Sequence, residues 1–380
     1  MKNKFLIFCI PIALLLGCVN SPSKTYLFIG SFTEGRPASG IHVYEFDVSS
    51  GAFELLYIQP NTINPSFLKI SNDGSYLYSV LESQLPTNGK VAAFAIDSLS
   101  GNLNLLNIHD SGGRNPAHLS INEVGDCLIN SNYTDAGISV FKIGNDGMLR
   151  EQHQLIRFKD SGVIKGRQDA AHIHSTNFSP DGNFLFAQDL GADKIRGFKV
   201  KSHSQKGLTL EDNGFTTTKP GSGPRHFTFH PNGEFGYSIG ELNGTINAYK
   251  YAKGNLHFIQ DYPSYRSKQD TYRASDIHIS PDGLFLYASN RGPNEDSIVI
   301  FSIDVLSGQL SLVGHEPTYG EHPRNFCISP SGNFLLVANQ FTNNVVIFQR
   351  NKKTGKLTKL PKELNVENPS SLQMYDYRID

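Results

Sequence analysis

Two histidines at i and i+2, His172 and His174, are followed along the chain by Arg225, Glu241, Arg291 and Arg324. A neutral imidazole can take a proton from water near pH 7. Guanidinium groups hold carboxylates, phosphates or a developing oxyanion. A carboxylate beside them can orient them or help to move a proton. Gathered in a concave pocket, such a set suits an anionic or carbonyl-bearing small molecule. The four stretches are too far apart to meet through one local element, so the fold must gather them.

The elements that could do so are repeats. One piece reads apolar strand, Gly turn, apolar strand: "SFLKISNDGSYLYSV", "AHLSINEVGDCLINS", "STNFSPDGNFLFAQD", "RHFTFHPNGEFGYSI", "SDIHISPDGLFLYAS" and "RNFCISPSGNFLLVA". Its turn glycines, Gly74, Gly125, Gly182, Gly233, Gly283 and Gly332, are spaced by 51, 57, 51, 50 and 49 residues. A second hairpin, such as "VAAFAIDSLSGNLNLL" or "IVIFSIDVLSGQLSLV", occurs seven times against six of the first. The missing partner is split between the ends of the chain. "NPSSLQMY" matches the start of the first piece and "TYLFIGS" matches its second half. Four strands per unit, a period near fifty and a divided closing unit predict an all-β, seven-bladed β-propeller of four-stranded antiparallel blades. Its ring is closed by the C-terminal strand joining the N-terminal blade.

In such a blade the first residues of the innermost strand and the last of the second strand reach the same mouth of the central channel. The third position of the innermost strand is Ser66, Ala117, His174, Arg225, Ser275, Arg324 and Ser370 across the repeats. The end of the second strand is Phe32, Glu82, Tyr133, Leu190, Glu241, Arg291 and Gln340, with Asp189 and Asn290 one position earlier. Residues needed by the fold should recur, so the large basic and acidic ones are the candidates. His172, Asp189, Asn290 and Arg324 are taken as substrate-binding candidates around the set His174, Arg225, Glu241 and Arg291.

Plainer readings compete. Arg225 and Glu241 could be a structural ion pair. His172 and His174 share one strand face and could bind a metal with Asp189, but no third ligand has convincing spacing and no metal is assigned. His118 and His226 sit one position later and point away from the first set, which favours core or hydrogen-bonded roles. His153 and His203 lie in outer hairpins.

The segments "AHIHSTNFSPDGNFLFAQDLGADKI", "GPRHFTFHPNGEFGYSIGEL", "SDIHISPDGLFLYASNRG" and "HPRNFCISPSGNFLLVANQ" resemble those of the seven-bladed propeller lactonases. That family includes the propeller-type bacterial 6-phosphogluconolactonases and the fungal carboxy-muconate lactonising enzyme. The likeness runs over essentially all of Thr25–Tyr375. It implies hydrolysis of a lactone with a His of the HIH motif in the catalytic group; His174, which falls in the outlier column, is preferred to His172 as general base, with Glu241 orienting it or assisting proton transfer. Arg225 and Arg291 would then stabilise the oxyanion or hold a substrate anion, with Arg324 a further candidate. No metal or organic cofactor is called for. An exported, non-catalytic propeller binding a glycan or a protein partner is the alternative. A quinone or haem oxidoreductase is disfavoured by the lack of Trp and of a C-x-x-C-H motif.

The first residues read differently. Lys2 and Lys4 precede "FLIFCIPIALLLG" and Cys18. A charged start and a short apolar run ending in "LLGC" resemble a lipoprotein signal peptide, with Cys18 the lipidated residue. The expected organisation is a leader over 1–18, a tether over 19–24 and one domain over 25–380. The expected location is the cell envelope, with a membrane contact only through the anchor. A formal charge of −1 offers no basic surface for nucleic acid. Cys127 and Cys327 sit in apolar strands of non-adjacent repeats and are expected buried and unpaired. A closed ring needs no second copy, so a monomer is the default.

Overall fold

The structure is a computed structural model and describes residues 23–33, 40–83, 86–203, 205 and 207–378. The leader and Cys18 lie outside the described residues. Among them run twenty-eight strands, β1 to β28 in chain order, in seven four-stranded sheets. All pairings within the sheets are antiparallel, as in β12 (Ile173–Phe178) with β13 (Phe184–Asp189) and β16 (Pro224–Phe229) with β17 (Phe235–Gly240). This is the seven-bladed propeller predicted from the repeats.

The S-P-D-G turn, present in two blades, shows how an inner pair folds locally. Ser179 Oγ donates to Asp181 Oδ1 and accepts from the Phe184 backbone N–H, while Gly182 takes a φ of +67°. Such a positive φ is free of steric cost only at Gly. Ser280, Asp282, Gly283 and Phe285 repeat the arrangement 101 residues on.

The ring closes as expected. β28 (Pro369–Arg378) pairs with β1 (Ser23–Ser31) from Ser23↔Arg378 to Ser31↔Pro369, giving the sheet order β28-β1-β2-β3. β1 starts at Ser23, inside the stretch expected as tether. Apolar layers between blades form the core. Leu27 and Ile29 of the first blade pack with Leu336, Val345 and Ile347 of the last, all fully buried. Cys127 and Cys327 are buried and free, as their strands predicted.

One backbone feature positions the site. At the third position of the innermost strand, the ladder to the next strand slips by one residue in five blades. Pro116↔Asn132 is followed by His118↔Ser131, Ile173↔Asp189 by Ser175↔Gln188, and Pro224↔Gly240 by His226↔Ile239. Pro323↔Asn339 is followed by Asn325↔Ala338, and Ser371↔Gly30 by Pro369↔Ser31. The skipped residues are Ala117, His174, Arg225, Arg324 and Ser370. Each is the extra residue of a β-bulge, a device that re-aims a side chain and leaves its backbone out of the ladder.

Candidate active site

A cavity of about 340 Å³ opens at one mouth of the channel. Six of the seven residues that end the second strands line it: Phe32, Glu82, Tyr133, Glu241, Arg291 and Gln340; Leu190 does not. His174 and Arg324 enter from the bulges, and His322 and Phe341 complete the wall.

Glu241 is the electrostatic centre. Its Oε2 accepts from Arg225 Nε at 3.0 Å and Arg291 Nη2 at 2.9 Å, and its Oε1 from Arg167 Nη2 at 2.5 Å. Burial alone would raise its pKa, but Arg291, Arg225 and Arg167 together hold its carboxyl well below the usual range. Glu241 is therefore an anion at neutral pH and a poor proton carrier; its geometry is that of a group that orients guanidiniums.

The three named arginines differ in what they leave free. Arg225 is fully buried and does not line the cavity. Its Nε is taken by Glu241, and its Nη1 lies 3.0 Å from Ser275 O and 3.1 Å from His226 Nε2. Arg291 lines the cavity with its nitrogens engaged by Arg273 O, Ala274 O, Glu241 and His322 Nε2. Arg324 lines the cavity, is half-buried, and lies over the Phe32 ring at 5.0 Å. No described residue accepts a hydrogen bond from its guanidinium, so its donors are free for a ligand.

Three imidazoles surround this charge. His174 is buried, with no described hydrogen-bond partner for Nδ1. Burial first, and then Arg225, push its pKa well below 6.5, so it is a neutral base at pH 7. The His322 ring stacks on Phe341 with centroids 4.1 Å apart. Burial and Arg291 press its pKa down to about 2, which suits a nitrogen accepting from a guanidinium. His172 stacks flat on Tyr133 at 4.4 Å, and its Nδ1 lies 3.1 Å from Tyr133 O. It supports a lining residue without lining the cavity itself.

Two other candidates are also kept from the cavity. Asp189 is fully buried, accepting from Arg196 Nε and Nη2 and from the backbone N–H groups of His172 and Ala192. Asn290 is fully buried, donating to Ser264 O and Ser297 Oγ. Both sit one residue before the cavity column, so strand alternation turns them into the blade. No group of three His, Cys, Asp or Glu among the described residues is arranged to hold a metal.

A profile described as "Lactonase, 7-bladed beta-propeller" matches residues 26–374. The chain belongs to the seven-bladed β-propeller lactonase family. A 6-phosphogluconolactonase of Formosa agariphila is 57% identical over 351 residues, covering 92% of this chain and 99% of that one. A 6-phosphogluconolactonase of Bacillus subtilis is 32% identical, covering 90% and 96%. The solved periplasmic gluconolactonase of Pseudomonas aeruginosa superposes with a TM-score of 0.86 at 32% identity, covering 93% and 99%.

For this propeller lactonase, the site residues that lay beyond the sequence argument include His322, Arg167 and Glu82. Arg167 comes from the loop before β12, outside the repeats. The one hint was the 57-residue spacing between Gly125 and Gly182, the longest of the series. Glu82 stood in the right column without being singled out. Ser66 Oγ donates to its Oε2 at 2.6 Å. Burial raises its pKa, an effect that Arg324 partly offsets.

Proposed function

We propose that this lactone hydrolase opens the ring ester of a sugar-acid lactone, 6-phosphogluconolactone first among the candidates, by direct attack of water at the channel mouth. Family membership and the 57% identical 6-phosphogluconolactonase support the reaction class. The observation that carries the residue assignment is the pairing of a neutral, partly unpartnered His174 with an unpaired Arg324 in one cavity.

Water attacks the lactone carbonyl as His174 takes its proton. The carbonyl π electrons move to oxygen, giving a tetrahedral oxyanion held by guanidinium donors. Collapse of that intermediate breaks the ring C–O bond, and the imidazolium returns its proton to the departing alkoxide. The product is an open-chain hydroxy acid. Arg324, with free donors, holds the oxyanion or a substrate phosphate; Arg291 adds positive field at the wall. Glu241 keeps Arg225 and Arg291 fixed, which avoids reorganisation during the reaction.

A matching location is the cell envelope, with Cys18 lipidated. The leader pattern supports it, and the Pseudomonas relative is described as periplasmic. Loss of the chain from the membrane fraction on Cys18→Ser would agree; unchanged partitioning would contradict it.

The test of activity is acid release, followed with a pH indicator and corrected for spontaneous opening. The panel holds 6-phosphogluconolactone and gluconolactone, with wild type and His174→Ala. Acceleration that His174→Ala abolishes is expected. No acceleration of any lactone by folded protein would overturn the assignment and leave a binding propeller.

A further inference from the structure

We propose that the opposite mouth of the channel is a second binding site, which takes a small carboxylate or phosphate anion on Lys69. A separate cavity of about 350 Å³ opens there. It is set by the residues three positions beyond the bulge column, among them Lys69, Ser120, Asn177, Thr228, His278 and Gln373.

A layer one residue beyond the bulges lies between the two cavities. Phe67 packs on His118 with ring centroids 4.3 Å apart, and His118 on His226 at 5.5 Å. His226 Nδ1 lies 2.7 Å from Asp276 Oδ1, and Asn325 Nδ2 donates to Asp276 Oδ2. His226 Nε2 accepts from Arg225 Nη1, so the two sites share one wall.

The second cavity offers an anion an unpartnered cation rather than a net charge. Its carboxylate, Asp276, is already saturated. Oδ1 takes His226 and the Ile277 N–H; Oδ2 takes His278 Nε2, Asn325 and the Phe326 N–H. Lys69 lines the cavity, is half-buried, and has no hydrogen bond or ion pair with any described residue. Burial lowers the Lys69 pKa, so an oxyanion placed beside this half-buried ammonium would be favoured by restoring the charge interaction that the protein does not supply. His118 Nδ1 accepts the Thr176 N–H at 3.4 Å, which puts its proton on Nε2, a second donor. A metal cation is the wrong occupant beside an unpaired lysine.

The test is calorimetric titration of the full chain with inorganic phosphate and with acetate, in an Arg324→Gln background that weakens anion binding at the first mouth. One of the two anions is expected to bind there, and the tighter of them names the chemistry. Adding Lys69→Met should weaken it at least ~10-fold, the worth of one charge-assisted hydrogen bond. Lys69→Arg should retain it. Lys69→Met alone should keep lactone turnover within about twofold of wild type, since one bulge layer separates it from the first site. Equal binding by folded Lys69→Met, or no binding of either anion, would overturn the proposal. Failure of the lactonase assignment reads differently, as absent turnover with Lys69-dependent binding intact.

Discussion

His174 and Arg324 occupy the same place in their blades: each is the extra residue of a β-bulge, three blades apart, and both line one cavity. One brings a base with an unpartnered nitrogen, the other a cation with unoccupied donors. Arg225, at the same bulge in the blade after His174, is instead drawn beneath the cavity by Glu241 and Ser275.

Removing the base should stop chemistry more than binding. His174→Ala is expected to lower kcat by roughly 10²–10⁴-fold, the usual span for a general base. KM should stay near its wild-type value. Steady-state kinetics on whichever lactone wild type opens will check this, and an unchanged kcat sinks the role.

Arg324→Gln separates phosphate binding from oxyanion stabilisation. If the guanidinium holds substrate phosphate, KM for 6-phosphogluconolactone should rise about 10- to 100-fold. KM for uncharged gluconolactone should move far less. A fall in kcat on both substrates, with KM unmoved, would assign Arg324 to the oxyanion.

Glu241→Gln should be a stability variant as well as an activity variant. It leaves Arg225, buried to 2% exposure, and Arg291, at 4%, without their counter-charge. Breaking a buried ion network in this way typically costs about 3–5 kcal/mol. Urea unfolding should show a lower midpoint; an unshifted midpoint would mean that the pairs are energetically idle.

Acid should weaken the fold before the carboxylates titrate. His226 has a pKa lowered from 6.5 to about 4, by burial first and Arg225 next. His118 and His174 are lowered for the same first cause. Below pH ~6.5 the unfolded chain binds protons that these folded imidazoles refuse, so stability is highest above that pH. It is expected to fall as pH drops from there through about 4. Melting temperatures measured across that window will show it, and a flat profile would contradict it.

Truncation before Pro369 should unfold the whole ring. β28 supplies the inner strand of the first blade, paired along the length of β1, and Leu372 is buried in the layer between first and last blades. Circular dichroism should report lost sheet rather than a shortened tail.

The architecture was legible because propeller repeats are local. Each S-P-D-G turn and each apolar strand is specified within a few residues, and aligning the copies gives the period, the blade count and the split closing blade. The same alignment found both columns of the site, since ring symmetry sends equivalent positions to the same mouth. It also named Cys127 and Cys327 as buried thiols from their strands alone.

What the columns could not contain was which chemical groups are free. Arg225, Arg291 and Arg324 read alike in sequence, yet Glu241 ties down the first two and leaves the third. Asp189 and Asn290, one residue off the column, are turned into the blade by strand alternation. Arg167 arrives from a loop that no repeat describes. Pairing of charges across blades depends on side-chain distances between segments fifty or more residues apart, and local sequence carries no record of those distances. The sequence by itself therefore determined the ring and the residues that face its mouth; the tertiary structure decided which of them are already spent on one another.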